Sequence, residues 1–194
     1  MSSVIFDMSM SLDGYVRAAN PRPAEPLGDG GEALHAWVMS DDEAGRDVLD
    51  RGIAGTGAVI CGRVTYDESL PWWGADGPTG PARLPVFVVT HTAPSDAPAG
   101  GVYVFVTTGI EDALAQAREA ANGKGVTIMG GPAVGNQFLR AGLVDELSIH
   151  LVPVLFGAGT LLTEALPAHV ELELADQVST LSAMHLRYRI KRAS

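Results

Sequence analysis

The chain has 194 residues, 46% hydrophobic and 19% charged, enough for one full hydrophobic core and short for two domains of ordinary size. Its formal charge of -10, from 13 basic against 23 acidic side chains, does not readily supply the basic surface that general nucleic-acid binding needs. The one cysteine, Cys61, excludes an intrachain disulfide and a cysteine-rich metal cage, and no apolar run is long enough to span a bilayer.

The opening Met1-Ser2-Ser3-Val4 lacks the basic segment and apolar core of a signal peptide. The expectation is a single cytoplasmic domain over residues 1–194, without nucleic-acid, membrane or metal partners.

Val4-Ile5-Phe6, continuing through Met8-Ser9-Met10, predicts a first buried strand. From Asn20 to Gly31, Pro21, Pro23, Pro26, Gly28, Gly30 and Gly31 block regular structure and predict a flexible flap. Ser40 followed by Glu43 is a capping box, and Val48, Leu49 and Ile53 carry helical spacing until Gly55. Ala58-Val59-Ile60-Cys61 and Val86-Phe87-Val88-Val89 are short apolar runs that suit buried parallel strands.

Thr108 with Glu111 forms a second capping box ahead of the alanine-rich stretch from Ala113 to Ala121, a helix by composition. Val126 to Met129 reads as the next strand. Pro132 then stands at a favoured first helical position, in a segment that runs to Gly142. Beyond it, Leu147 to Leu151, Leu172 to Leu174 and Leu186 to Ile190 alternate apolar with polar residues, which predicts an antiparallel end to the sheet. His150, His185, Arg187 and Arg189 fall on the polar side of that alternation. Pro153 belongs at an edge or bulge.

Two strand ends carry the chemical signals. Gly62-Arg63-Val64-Thr65-Tyr66 leads from a strand into a helix, so backbone N–H groups, a guanidinium and a hydroxyl converge as a phosphate requires. The other reading pairs Arg63 with Asp67 or Glu68. Met129-Gly130-Gly131-Pro132-Ala133 offers close backbone approach and a second helix start, or simply a turn. Thr90-His91 ends a third strand. There is no GxGxxG, GxSxG or HExxH, and the five histidines are scattered. Trp72-Trp73 either lines a pocket or anchors a loop.

In order, Ser11-Leu12-Asp13-Gly14-Tyr15-Val16, Gly62-Arg63-Val64-Thr65-Tyr66, Val88-Val89-Thr90-His91, Met129-Gly130-Gly131 and Val144-Asp145-Glu146-Leu147 resemble the dihydrofolate reductase-like family that includes the C-terminal reductase domain of the bifunctional riboflavin-biosynthesis protein. The resemblance runs from Val4 to about Arg189. It implies an α/β fold: a central, mostly parallel sheet with helices on both faces, antiparallel C-terminal strands, and NADPH across the strand ends.

By the same resemblance, Gly62, Arg63 and Thr65 hold the pyrophosphate and adenosine phosphate region, and Thr90 and His91 the adenosine-side phosphate. Gly130, Gly131, Pro132, Ala133 and Val134 hold the pyrophosphate and nicotinamide, which Ser9 and Val16 also meet. The implied activity is hydride transfer from NADPH to a small heterocyclic or carbonyl substrate, in a homodimer. The alternatives are a non-catalytic NADP(H)-binding module and a flavin-using reductase.

Several positions depart from the family pattern. Tyr15 stands where the riboflavin reductase has a lysine, which argues against that enzyme's phosphorylated substrate, and the deaminase signature His-x-Glu with Pro-Cys-x-x-Cys is missing. Gly135 and Ala133 replace an aromatic and an arginine common in true dihydrofolate reductases. Glu32 is the nearby candidate for the acid that grips a pterin, or else a first-turn acid favoured by the helix dipole. Asp13 is the other candidate catalytic acid, or else shapes the turn into the flap.

Overall fold

The computed structural model describes residues 2–163 and 166–191. Met1 and residues 164–165 and 192–194, part of the expected 1–194 domain, lie outside that range. In chain order the elements are β1 (Val4–Ser11), β2 (Tyr15–Ala18), a 3-10 turn (Gly31–His35), α1 (Glu43–Gly55), β3 (Thr56–Gly62), α2 (Arg63–Trp73), β4 (Val86–Val89) and β5 (Tyr103–Val106). They continue with α3 (Ile110–Ala120), β6 (Gly125–Ile128), α4 (Pro132–Arg140), β7 (Glu146–Val152), β8 (Gly159–Leu161), β9 (Leu172–Ser179) and β10 (Met184–Ile190).

Eight strands hydrogen bond in the order β5-β4-β3-β6-β1-β7-β10-β9, and β2 pairs with β8 separately. The pairs β3–β4, β3–β6 and β4–β5 are parallel, whereas β10 is antiparallel to both β7 and β9. The parallel strands and antiparallel end agree with the sequence pattern. The short strands β2, β5 and β8 are additions to it. Packing divides the chain into two units, Met1–Ile5 with Ile53–Leu143, and Phe6–Gly52 with Val144–Ser194.

In the first unit, every β3 residue except Gly62 is buried, so both faces of the strand are covered. Val59, Cys61, Val86 and Val88 share one face because side chains alternate along a strand. They pack with Tyr66, Leu70 and Trp73 of α2. Trp73 is therefore the anchor expected of the tryptophan pair, while Trp72 is 67% exposed. Burial pushes the Cys61 thiol up to about 12, which leaves it an inert core residue.

Neither helix start follows its expected capping box. The Oδ1 of Asp42 accepts the Ala44 N–H at 3.3 Å, so Asp42 caps α1, and Ser40 Oγ accepts the Asp42 N–H at 3.1 Å. At α3 the cap position is Gly109, and the Thr108 hydroxyl donates to Asp112 instead. At α1 the Asp42 carboxylate takes the N–H expected of Ser40, and at α3 the Thr108 hydroxyl is engaged as a donor to Asp112.

The second unit contains the proline- and glycine-rich segment. Irregular as expected, it is closed by hydrogen bonds: Ala18 N–H to Leu27 O at 2.8 Å and Asp29 N–H to Ala19 O at 2.9 Å. Arg22 pairs with Glu25 and Asp29 within the loop. Gly28, at φ +80, is obligatory there, because a Cβ would lie 2.4 Å from the Ala18 and Ala19 carbonyl oxygens. Pro153 ends β7 rather than bulging it.

Asp42 also accepts the Leu181 N–H at 3.0 Å, so one carboxylate holds both the α1 start and the turn between β9 and β10. Asp42→Ala should therefore destabilise the protein by about 1–2 kcal/mol, the upper range for a lost helix cap. Urea unfolding with an unchanged midpoint would contradict this role.

Candidate functional site

The polar groups collect in two places, one in each unit. In the first, β3 and β6 are parallel neighbours, and each leads directly into a helix, α2 and α4. Both helix starts have a glycine at the cap, Gly62 and Gly131, with extended backbone and no side-chain cap. Their first-turn N–H groups consequently lack intrahelical partners. Pro132 occupies the first position of α4 as its missing N–H allows.

Thr65, one turn into α2, ties the two starts together: its Oγ1 accepts the Gly131 N–H at 2.7 Å. Gly130 sits at φ +96, and a Cβ there would fall 2.2 Å from Thr65 Cγ2. A Cβ on Gly62 would lie 3.0 Å from Val134 Cγ2. Gly62, Thr65, Gly130, Gly131, Pro132 and Val134 thus form one interlocked group, with Ala133 exposed beside them.

Arg63 adopts the ion pair that the sequence left open. Its Nε donates to Asp67 Oδ1 at 2.7 Å and Oδ2 at 2.9 Å. It also reaches further, with Nη1 donating to Thr92 O at 2.8 Å. The Thr90 hydroxyl donates to the same carbonyl at 2.9 Å. Arg63, Thr90 and the exposed His91 are thereby brought together.

The second place is assembled on β1, β7 and β10. His150 of β7 and His185 of β10 are register partners. Their Nδ1 atoms stand 2.6 Å apart, and both residues are buried, at 7% and 5% exposure. His150 Nε2 lies 3.3 Å from Asp7 Oδ2, and His185 Nε2 lies 3.2 Å from Thr180 Oγ1. Trp37 packs on both imidazoles and donates its indole N–H to Ser9 Oγ at 2.9 Å. Val16 is buried in β2.

Sequence reasoning missed this cluster. His150 and His185 lie on the polar side of the strand alternation, and at these two positions that side is covered rather than solvated. The usable signal was that two histidines of an antiparallel pair occupy equivalent places in the alternation, alongside Asp7 and Ser9 of a third strand. Burial opposes the charge on Asp7, yet His150, with Ser148 and Arg187, outweighs it and holds the carboxyl below its usual range.

The two acids singled out from the sequence stand elsewhere. Asp13 accepts the Ser11 hydroxyl at 2.6 Å and the Gly157 N–H at 2.7 Å, with the Phe156 N–H at 3.1 Å. The Ser11 bond above all, then those backbone donors, keeps Asp13 ionised against its desolvation, so the residue shapes the turn and is poorly placed to give up a proton. Glu32 is exposed in the 3-10 turn, without a hydrogen bond among the described residues.

Sheet order, helix placement and antiparallel C-terminal strands together define a dihydrofolate reductase-like α/β fold. The model of the RibD C-terminal domain matches residues 2–186, and the chain belongs to that family. It is similar to the crystal structure of a "putative riboflavin biosynthesis protein" from Shewanella sp. PV-4, with 24% identity and a TM-score of 0.72 over 99% of this chain and 100% of that one.

It also resembles RibD from Acinetobacter baumannii, at 18% identity and a TM-score of 0.68, covering 99% of this chain but 59% of that protein. Dihydrofolate reductase from Enterococcus faecalis, complexed with NADP(H) and RAB-propyl, matches at 18% identity and a TM-score of 0.61, covering 98% of this chain and 97% of that one. A search of curated protein sequences returned no match.

The buried histidine pair has a consequence for stability. Burial first, then His150, push His185 from 6.5 down to about 4. The unfolded chain therefore takes up a proton here at higher pH than the folded chain, and stability gained by keeping the ring neutral is lost as pH falls from 6.5 towards about 4. The urea midpoint should drop across that window, and drop less in His185→Gln. Parallel pH dependences for the two proteins would contradict the assignment.

Proposed function

We propose that the protein is an NADPH-dependent reductase of a small heterocyclic or carbonyl substrate. The observation that carries this reading is the pair of uncapped helix starts locked side by side by Thr65 and the glycines. Helix N-termini favour anions through their free N–H groups and partial positive charge. Gly130, where any Cβ would collide with Thr65, lets the second start come this close to the first.

These residues suit a dinucleotide. The starts at Gly62 and Gly131, with Thr65, Gly130, Pro132, Ala133 and Val134, would hold the pyrophosphate and the adjoining nicotinamide half. Arg63, partly exposed and bonded to Asp67 and Thr92 through Nε and Nη1, would hold the adenosine-side phosphate through Nη2 together with Thr90 and His91. When bound, NADPH supplies a hydride, and the protein's part is to bind, orient and exclude competing reactions. Membership of the RibD C-terminal domain family and the fold shared with an NADP(H)-complexed dihydrofolate reductase support the same reading.

A second reading, an NADP(H)-binding module without turnover, draws support from one observation: neither Asp13 nor Glu32 is poised as a proton donor. Stimulation of NADPH oxidation by dihydrofolate, an aminopyrimidinedione or ethyl pyruvate separates the two. The reductase reading expects stimulation by at least one of them, and dihydrofolate turnover well below the order of 10 per second of ordinary enzymes. Normal NADPH binding with no stimulation by any of the three would favour the module.

Replacing Arg63 by Ala should weaken NADPH binding by about 1.5–3 kcal/mol through loss of a charge-assisted contact. Folding should change little, because the ion pair with Asp67 is exposed. Unchanged affinity in a fluorescence titration would rule out this role for Arg63.

We also propose a homodimer. Leu186, Tyr188 and Ile190 are partly buried, since β10 lies inside the sheet, but the neighbouring β9 carries Leu172 and Leu174 at 40% and 49% exposure. Leu174 pairs with Tyr188 and Leu172 with Ile190, so the four share one face and form an apolar strip that a second copy would cover. Light scattering should give twice the chain mass at micromolar concentration. A monomer mass would refute it.

A further inference from the structure

His150 and His185 meet through one pair of ring nitrogens. The two Nδ1 atoms stand 2.6 Å apart, a separation with room for a single hydrogen between them. The outer nitrogens face oxygens: His150 Nε2 lies 3.3 Å from Asp7 Oδ2, and His185 Nε2 lies 3.2 Å from Thr180 Oγ1. A neutral pair satisfies these contacts, and so does a pair with one added proton. A pair charged on both rings does not, because two Nδ1–H groups would then point at each other. The ring centroids are 4.9 Å apart, so repulsion between like charges adds to that clash.

Trp37 is seated on this contact. Its ring centroid lies 4.2 Å from that of His150 and 4.8 Å from that of His185, and its indole N–H reaches Ser9 Oγ at 2.9 Å. Among residues 35–39 Trp37 alone is buried. The N–H groups of Ala36, Val38, Met39 and Ser40 bond to carbonyls three or four residues earlier in the same segment. The Trp37 side chain is therefore what fastens that segment to the sheet.

We propose that the His150–His185 contact is an acid-opened latch: a proton on each ring parts the imidazoles, unseats Trp37 and frees residues 31–40 from the sheet. The sheet itself stays paired. β7 and β10 are joined by a backbone register that runs from Leu151–Met184 to Glu146–Arg189, and two side chains can part without breaking it. An irregular segment held by one buried side chain is the kind of unit that opens locally, and protonation of clustered histidines is a known trigger for such changes.

The charges around the latch come from several elements. Asp7 of β1 faces His150, with Ser148 of β7 and Arg187 of β10 acting on Asp7. His35 of the 3-10 turn stands near His150, while Asp42 and Arg51, at and within α1, act on His185. The two acids favour a charged ring; Arg51 and the neighbouring imidazole oppose it. Burial first, then His150, hold His185 protonation down to about 4, against 6.5 for a free ring. The open form thus binds the last proton at higher pH than the closed form. As pH falls from 6.5 towards about 4, the ratio of closed to open drops by about two orders of magnitude.

Tryptophan emission at low micromolar protein reads the latch. Between about pH 7 and 3.5 the wild type should show a reversible shift to longer wavelength, while far-UV circular dichroism keeps its neutral-pH shape. Trp37→Phe should abolish the shift, which separates Trp37 from Trp72 and Trp73. His185→Gln and His150→Gln each leave one ring to charge, so in whichever keeps its neutral-pH circular dichroism the midpoint should fall by about one pH unit or more, or vanish.

Nitrogen NMR of histidine-labelled wild type adds a readout that needs no substitution: both rings should become doubly protonated together with the Trp37 shift. A still emission maximum in the wild type, a shift that coincides with loss of the dichroism signal, or a shift undiminished in a folded histidine variant would overturn the proposal. So would two doubly protonated rings beneath an unmoved Trp37.

Discussion

The hydrogen bond from the Gly131 N–H to Thr65 Oγ1, 2.7 Å long, is the contact on which the geometry of the first unit's paired helix starts depends. It joins the first turn of one helix to the cap of the next, at the carboxyl ends of two adjacent parallel strands. In open α/β sheets that edge is where ligands bind. The contact exists only because Gly130 turns the chain at a positive φ, with no Cβ to strike Thr65. Sequence, backbone geometry and anion-binding capacity are linked there through a single residue type.

The second unit follows the complementary rule that buried polar groups must be paired. Asp13, Asp42 and Asp7 each meet it differently. Asp13 takes backbone N–H groups from the segment between β7 and β8, Asp42 takes two N–H groups from separate segments, and Asp7 takes an imidazole. The first two are fully used as acceptors and serve architecture. Asp7 differs in that its partner is a buried imidazole while its own carboxylate stays partly exposed.

Much of this was legible in the sequence. The parallel strands announce themselves as apolar runs between glycines, because strands covered on both faces need no polar alternation. The helix starting at Pro132 was readable from fixed φ and a missing donor. The motifs ending β3 and preceding α4 could be recognised, but not the Thr65 bond that joins them, since residues 65 and 131 are far apart in the chain. Both capping boxes were misplaced because a neighbouring carboxylate intervenes, Asp42 by accepting the helix-start N–H and Asp112 by accepting the Thr108 hydroxyl. The strands β2, β5 and β8, three or four residues each, are too short to show a period.

The histidine pair was hidden for a different reason. Alternation with period two separates the faces of a strand but does not say which of them is covered. Trp37, following the 3-10 turn with no periodic signal of its own, covers the polar face of β7 and β10 at His150 and His185, while Arg187 and Arg189 stay exposed. The Arg63 ambiguity was real: of the two acids the sequence offered, the side chain takes Asp67, and it also reaches the Thr92 carbonyl, which the sequence did not indicate. The most direct measurement is a crystal structure with NADPH bound. It should place the pyrophosphate at the paired helix starts, against the N–H groups following Gly62 and Gly131; clear density for NADPH bound anywhere else would contradict the account.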